Sequence, residues 1–312
     1  MAQLVKNYPQ DVRVVFRNFP LSIHQNSLIS AQAAEAAGKQ GKFFEMSAVL
    51  FQNQEEWSGL TTDQFTDWAK QQAQVLGLDV NQFVTDMTSE EIVKKVKDAQ
   101  DEGMKLQIPG TPFILINGRI YQGARDYGSL EAIVKLMKLE EKQFTECPPM
   151  TIDPAKKYTA TINTDVGGIV IELLPQQAPV TVNSFVFLAR KGWYDNTIFH
   201  RVIANFVAQA GDPSGSGYGG PGYAFSNEFL TANYRYDKPG VVGMANAGPD
   251  SNGSQFFITY TALPQLDGQY TIFGQVIQGM DVLAKLTQRN PAQVGTPLPE
   301  GTRILSITIE EK

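Results

Sequence analysis

The stretch FHRVIANFVAQAGD, residues 199–212, decides the fold of the second half of the chain. Short apolar runs, one next to Arg201 and one next to Gln209, lie on either side of Asn205, a pattern typical of two short strands joined by a turn. Alternate side chains of a strand point to the same surface, and a turn can reset that register. With a reset near Asn205, one surface receives Arg201, Phe206 or Val207, and Gln209.

The sequence around this stretch has the same β-like texture from residue 157 to the end. Short apolar runs are separated by Gly, Pro and Asn, as in an all-β barrel. Strands are predicted at Ile169–Leu174 and near the C-terminus, where Leu305, Ile307 and Ile309 alternate with polar residues. Two helices are predicted, at about 180–190 and 280–288, and Gly192 would stop the first.

The first half has a different sequence pattern, because long helical periodicities dominate it. Residues 25–39 and 61–76 have apolar residues at helical spacing, and Thr88 with Glu91 forms a capping box for a helix beginning near Ser89. The segment 12–16, VRVVF, is predicted to be a strand. The Asn117-Gly118 pair between two apolar runs predicts a type I′ hairpin turn.

A predicted linker separates the helical first half from the β-rich second half. Residues 129–142 have the pattern of a closing amphipathic helix, and residues 143–156 contain three prolines and no periodic apolar pattern. The sequence therefore predicts one domain at 1–142, a linker at 143–156 and a second domain at 157–312. A chain of 312 residues has the length for two domains of ordinary size.

Composition excludes several classes of function. The net charge of -6 and the absence of a basic run argue against a nucleic-acid partner. One cysteine and two histidines are too few for a structural zinc site, so no metal is expected, and a lone thiol cannot form an internal disulfide. No apolar run approaches the length of about 18 residues of a membrane span, so a soluble chain is expected.

Three ordered motifs of the second half resemble the cyclophilin family: FHRVIxxFxxQxGD, MANAGPxxNGSQFFI and LDGxYxxFG. The resemblance covers 157–312. It implies a mainly-β, closed antiparallel barrel with two capping helices, and the activity of a peptidyl-prolyl cis-trans isomerase. Carried over by position, it makes Arg201 the catalytic arginine, Phe206 the floor of the proline pocket and Gln209 the amide that orients arginine and substrate. The rest of the groove would be Val207, Ala245, Asn246, Gln255, Phe257, Leu266 and Tyr270.

The chemistry implied by this resemblance needs no cofactor. Rotation about an X–Pro bond faces a barrier of about 18–20 kcal/mol, because twisting breaks amide resonance. A fixed cation that donates a hydrogen bond to the twisted prolyl nitrogen stabilises that state and not the planar one. The expected partners are proline-containing unfolded or partly folded polypeptides. The alternative is a non-catalytic module that binds proline peptides or acts as a chaperone through the same groove.

Several features have simpler interpretations. Gly215–Gly220 satisfies G-x-G-x-x-G, but no βαβ entry strand precedes it, so we interpret it as a flexible loop beside the groove. His200 is interpreted as a packed histidine and Phe256 as a core aromatic. Cys147 is interpreted as an incidental exposed thiol. Two positions depart from many eukaryotic cyclophilins, which have Trp at Gln265 and His at Tyr270, so weakened cyclosporin binding is expected.

The first half resembles the disulfide-oxidoreductase branch named for bacterial DsbA, over about 5–140. The segment Thr111-Pro112 before the FILI run resembles the cis-proline loop of thioredoxin-like proteins. The resemblance implies an α/β thioredoxin-like domain with a helical insertion and a bacterial source, but its first strand and its Cys-x-x-Cys helix are missing here. A redox-inactive domain is therefore expected. A truncated product, a binding module and a misassigned start remain open, and an upstream Cys-x-x-Cys would make the protein a bifunctional folding factor.

Overall fold

The computed structural model describes residues 1–229, 234–293 and 298–312. The chain forms two compact units, one of Val14–Gly123 and the other of Met1–Arg13 with Ala124–Lys312. The helices of residues 1–142 are α1 (Ala2–Asn7), α2 (Ser27–Lys39), α3 (Phe43–Gln52), α4 (Gln54–Trp57), α5 (Thr62–Val75), α6 (Val80–Met87), α7 (Glu90–Lys105) and α8 (Tyr127–Glu140). Strands β1 (Ile114–Ile116) and β2 (Arg119–Tyr121) lie between α7 and α8.

Helices α2 to α7 surround one core within Val14–Gly123. The alanines of α2 are buried, which lets neighbouring helices approach closely, and Phe65 and Phe83 fill the space between them. Trp57 packs edge-on to Phe65 with ring centroids 5.4 Å apart. The predicted helices at 25–39 and 61–76 are confirmed as α2 and α5.

The predicted hairpin turn is also confirmed. Strands β1 and β2 pair so that Ile116 faces Arg119, and the two turn residues between them have positive φ, 48° at Asn117 and 79° at Gly118. Positive φ at both central residues is the requirement of a type I′ turn. The Thr111–Pro112 peptide bond just before this hairpin is cis.

Two local predictions for the first half are wrong. The segment 12–16 forms no strand and has no partner strand among the described residues, and a strand without a hydrogen-bonded neighbour does not form. Ser89, not Thr88, caps α7 by accepting from the Ile92 N–H. The Thr88 hydroxyl instead donates to carbonyls of α6, because that helix ends at Met87.

The second half is built on one curled antiparallel sheet. Its strands are β3 (Tyr158–Thr164), β4 (Gly167–Leu173), β5 (Thr197–Ile198), β6 (Arg201–Val202), β7 (Val207–Ala210), β8 (Val241–Met244), β9 (Phe256–Thr259), β10 (Ile272–Gln278) and β11 (Arg303–Glu311). Among the described residues the order across the sheet is β5-β11-β3-β4-β10-β8-β9-β7-β6. The first and last strands of that order follow each other in the chain, so residues 197–202 connect both edges. The predicted mainly-β half is confirmed.

Helix α9 (Pro179–Arg190) packs one face into this sheet, and α10 (Met280–Leu283) is a single turn. Phe185 of α9 lies at the centre of the core, with its ring 5.2 Å from Phe273 and 5.5 Å from Phe256. The core position predicted for Phe256 is therefore confirmed. Gly192, with φ of 69°, follows the end of α9 as predicted. The helix predicted at 280–288 is much shorter than expected.

The C-terminal strand was predicted at the right position, but the prediction that Leu305 faces the core is wrong. Leu305 is 46% exposed, whereas Ile304 and Ile307 are buried. The pairing of β11 with β3 shifts register between Ile304 and Ser306, as a β-bulge does. The bulge breaks the strict alternation on which the prediction relied.

Residues 143–156, predicted to be a linker, contact the core of the second half. The Phe144 ring lies 5.1 Å from that of Phe187, and Ile152 is buried. The Thr151 N–H donates to Asn183 Oδ1 at 2.7 Å, and Asn183 Nδ2 donates back to the Pro149 carbonyl at 3.0 Å. This proline-rich segment is thus fixed by packing rather than by regular structure. Within the described ranges, no helix is long and apolar enough to span a bilayer.

Candidate functional site

Arg201 and Gln209 lie directly opposite each other on β6 and β7. Between them the chain turns through Asn205, which has φ of 57°, and the Ile203 N–H donates to the Val207 carbonyl at 3.0 Å. Cross-strand neighbours of an antiparallel pair project to the same face. The turn therefore brings the cation and the amide together, as predicted for a turn near Asn205.

A row of side-chain hydrogen bonds leads away from the guanidinium. Arg201 Nη1 donates to Gln209 Oε1 at 3.2 Å, and Gln209 Nε2 donates to Gln255 Oε1 at 3.0 Å. Gln255 Nε2 then donates to the carbonyls of Gly217 and Gly219, at 3.0 and 2.9 Å. An arginine only donates and a backbone carbonyl only accepts, so the orientation of both glutamine amides is determined from each end.

An apolar surface adjoins the arginine. The guanidinium carbon of Arg201 lies 5.4 Å from the centroid of the Phe206 ring, within the range of cation–π attraction. Phe257 is buried, stacks on Tyr236 and meets Tyr270 edge-on at 5.4 Å. The remaining apolar members predicted for the groove pack in the same cluster: Val207, Ala245 and Leu266.

Asn246 uses its side chain to hold neighbouring backbone. Its Nδ2 donates to the Gln269 carbonyl at 3.2 Å, and its Oδ1 accepts from the Gly248 N–H at 3.2 Å. The preceding Ala245 N–H donates to the Gln255 carbonyl at 2.8 Å. Hydrogen bonds and one apolar cluster beside β7, β8 and β9 therefore link the groove residues predicted from the second half.

A buried carboxylate organises the glycine-rich loop, which we define as Asp212–Gly222. Asp212 accepts from the N–H groups of Ser214, Gly217 and Gly219 at 2.7–3.0 Å, and from the hydroxyls of Ser214 and Ser216. Burial alone would raise the pKa of Asp212, but these hydrogen bonds outweigh burial and lower it. The G-x-G-x-x-G run is thus a loop folded around a carboxylate, and no helix begins there. Sequence reasoning missed Asp212, although an Asp before a Ser/Gly-rich run is a known turn signal.

His200 precedes the arginine and is almost completely buried. Neither ring nitrogen has a hydrogen-bond partner among the residues that the structure describes. Burial, which disfavours the charged imidazolium, lowers its pKa to about 4; Asp212 opposes this shift, while Arg289 and Arg201 add to it. The interpretation of His200 as a packed side chain fits this environment.

Cys147 is exposed, and partial burial raises the pKa of its thiol above the ordinary value. Reactive thiols have the opposite shift, because their thiolates are stabilised by nearby positive charge. Within the described part of the chain, no group of three His, Cys, Asp or Glu side chains is placed to hold a metal ion.

Comparison with known proteins gives two family matches. Residues 159–309 match the family described as cyclophilin type peptidyl-prolyl cis-trans isomerase, and residues 1–136 match a thioredoxin family. A crystal structure of a cyclophilin type peptidyl-prolyl cis-trans isomerase from Cryptosporidium parvum is 38% identical, with a TM-score of 0.46; the match covers 49% of this chain and 98% of that one.

Curated relatives match the same half. Peptidyl-prolyl cis-trans isomerase-like 1 of Gibberella zeae is 41% identical over 48% of this chain and 94% of its own length. Peptidyl-prolyl cis-trans isomerase cypE of Dictyostelium discoideum is 44% identical over 49% of this chain and 97% of its own length. The match to peptidyl-prolyl cis-trans isomerase 9 of Schizosaccharomyces pombe, 46% identical over 48% of this chain, spans only 25% of that protein.

These relatives are eukaryotic and give no support to a bacterial source, which the first-half resemblance implied. The family matches confirm the two resemblances at the level of a thioredoxin-like first half and a cyclophilin second half. The sheet, the motifs and the two nearly full-length relatives agree on the second half. The chain belongs to the cyclophilin-type peptidyl-prolyl cis-trans isomerase family and carries a thioredoxin-like domain before its cyclophilin domain.

Proposed function

We propose that this protein accelerates cis/trans rotation about X–Pro bonds in polypeptides, with Arg201 as the catalytic cation. The observation that carries the proposal is the guanidinium next to an apolar aromatic surface, held by a neutral amide at 3.2 Å. A neutral partner fixes the direction of the guanidinium without cancelling its charge. The charge therefore remains available to a substrate atom.

The mechanism follows from what changes as the bond rotates. In the planar state the prolyl nitrogen shares its lone pair with the carbonyl group, so it is a poor acceptor. In the twisted state the lone pair is localised, and an N–H of Arg201 donates to it. Phe206, Phe257, Leu266 and Tyr270 hold the pyrrolidine ring, and Gln209 keeps the guanidinium in place. Because the hydrogen bond strengthens only in the twisted state, it lowers the barrier instead of only tightening binding.

The proposed substrate is an extended, proline-containing segment of an unfolded or partly folded protein. The remaining members of the groove, Val207, Ala245, Asn246 and Gln255, would contact the residues that flank the proline. A related crystal structure from Cryptosporidium parvum was determined in the presence of the dipeptide Ala-Pro. This mechanism requires a bound proline-containing peptide and Arg201, but no cofactor.

A non-catalytic module that binds proline peptides is the second candidate, because the same aromatic pocket would serve it. Exchange NMR on an Ala-Pro test peptide separates the two functions, since it measures binding and interconversion in one sample. We expect the protein to raise the interconversion rate at substoichiometric concentration. Line broadening from binding with an unchanged interconversion rate would establish the binding module instead.

We propose that the domain of residues 1–142 acts without redox chemistry, as a binding module. Its chemistry as an oxidoreductase would need an attacking thiol and a resolving thiol, and the sequence has only Cys147. The division into 1–142, 143–156 and 157–312 is part of this proposal, and it is supported by family matches that end at 136 and resume at 159. A DsbA-like exchange activity would make the protein a bifunctional folding factor, and insulin reduction by this chain would support it. A chaperone activity would belong to the non-catalytic module that uses the groove.

A further inference from the structure

The end of α8 and the first residues after it pack on the outer side of the glycine-rich loop. We call this stretch, residues 139–144, the clamp segment. The Phe144 N–H donates to the Pro221 carbonyl at 2.8 Å, and Gln143 Nε2 donates to the Gly220 carbonyl at 2.9 Å. Leu139 is buried in the core of the second half. The clamp segment therefore contacts the loop through both backbone and side chains.

The contact leaves no room for a Cβ atom at two glycines of the loop, Gly219 and Gly222. A Cβ atom at Gly219 would lie 2.0 Å from Asp212 Oδ1 and 2.9 Å from Leu139 Cδ2. A Cβ atom at Gly222 would lie 2.3 Å from the Phe144 carbonyl oxygen. Gly219 is thus packed against both the buried carboxylate and Leu139, and Gly222 is packed against the backbone of Phe144.

Gly219 of this loop also contacts the side chains of the candidate site. The carbonyl of Gly219, the residue between Asp212 and Leu139, accepts from Gln255 Nε2 at 2.9 Å. Gln255 holds Gln209, which in turn holds Arg201. Hydrogen bonds weaken steeply when their distance or angle changes, so a displacement of the loop reaches the guanidinium through two amides.

The clamp segment is itself held firmly. The Phe144 ring packs against three aromatic rings of the second half, at centroid distances of 5.1 Å to Phe187, 6.0 Å to Trp193 and 6.4 Å to Tyr223. Before the clamp segment, α8 is tied to the residues that follow α1: Lys138 pairs with Asp11 at 2.6 Å, and the Tyr8 hydroxyl donates to Glu131 at 2.9 Å.

We propose that the clamp segment is a positioning element for Arg201. It confines the glycine-rich loop from outside, the loop fixes the amide of Gln255, and the two glutamines hold the guanidinium in its productive direction. Binding events that move α8 would then change isomerase turnover. This inference rests on the proposed function, because it assumes that Arg201 acts in catalysis.

Leu139→Ala and Phe144→Ala in the full chain test the proposal. Neither residue belongs to the groove, so we expect kcat to fall about three- to tenfold with KM almost unchanged. Ile307→Ala is the matched control, because Ile307 is a buried residue of the same core on β11, away from the loop. At a temperature where all variants are folded, Ile307→Ala should retain kcat within about twofold.

A double-mutant cycle with Arg201→Ala separates positioning from general loosening. If the clamp acts through Arg201, Phe144→Ala should cause no further loss in the Arg201→Ala background, and Leu139→Met should restore most of the kcat lost in Leu139→Ala. The proposal is overturned if the clamp variants behave like Ile307→Ala, or if their loss persists undiminished without Arg201. Full turnover by Arg201→Ala alone would instead refute the proposed function.

Discussion

The two compact units use their polar side chains in different ways. In the second half, Arg201, Gln209 and Gln255 are joined by hydrogen bonds beside the aromatic ring of Phe206. In Val14–Gly123, buried polar groups serve the local fold: Asn26 Nδ2 donates to the carbonyls of Trp57 and Leu60, and Asp86 pairs with Lys39. Both halves match a known family, yet among the residues that the structure describes only the second half joins an arginine and two glutamines in one row beside an aromatic ring. A fold carries chemistry only where side chains are arranged to perform it.

The largest expected effect tests whether the two units unfold separately. Phe65 is fully buried and packs against Trp57 and Trp68, so Phe65→Ala should destabilise Val14–Gly123 by about 3–5 kcal/mol. Tryptophan fluorescence during urea unfolding measures this loss. Isomerase turnover should stay unchanged while the second half remains folded.

Phe273→Ala is the counterpart in the second half, where Phe273 packs against Phe185. It should lower the stability of the isomerase half and leave the transition of the first half in place. A single transition shifted equally by both substitutions would contradict the division into two units.

The second effect is on the pH dependence of stability and comes from His200. Its pKa is about 4 in the folded chain and 6.5 in the unfolded chain, so the unfolded state takes up a proton first as the pH falls. Stability from this group is present above pH 6.5 and is lost as the pH falls towards 4, by about 3 kcal/mol in all. Urea unfolding at pH 7, 5.5 and 4.5 measures the loss. His200→Gln should flatten the curve in that window, and an equally steep curve would assign the loss to other groups.

The third effect concerns the row of amides. Gln255→Glu keeps the shape of the side chain but places a carboxylate against two carbonyl oxygens. The hydrogen bonds from residue 255 to the Gly217 and Gly219 carbonyls are therefore lost. We expect kcat/KM to fall about tenfold, which is about 1.4 kcal/mol of barrier. Gln275→Glu is the control, because Gln275 also donates to backbone carbonyls but far from the row. Equal losses in the two variants would argue against a specific role for Gln255.

The smallest effect belongs to the thiol. Cys147 is exposed and the pKa of its thiol is raised, so Cys147→Ser should change isomerase turnover by less than about twofold. Neither the original chain nor the variant should reduce insulin. Insulin reduction that disappears in Cys147→Ser would show that the Cys147 thiol is chemically active.

Local patterns in the sequence predicted several elements well. The Asn117-Gly118 pair predicted the hairpin turn, because both residues tolerate positive φ. The apolar residues at helical spacing and the Gly192 that follows them predicted α9. The prediction for Leu305 failed because a bulge depends on the partner strand, and the prediction for 12–16 failed because a strand needs a neighbour.

The candidate site shows the same division. The motifs predicted which residues meet, because Arg201 and Gln209 are close in sequence and on paired strands. They did not predict the support of Gln255 by the glycine-rich loop or the docking of Phe144 on Pro221, since these contacts join segments about 36 to 77 residues apart. Non-local contacts of this kind leave no periodic signal in the chain.

The most direct test of the account is the turnover of Arg201→Ala, measured by exchange NMR on an Ala-Pro peptide, with circular dichroism to verify folding. The account predicts that kcat/KM falls at least about tenfold while the peptide still binds, because the aromatic pocket remains intact. A folded Arg201→Ala variant that isomerises the peptide at the original rate would contradict it.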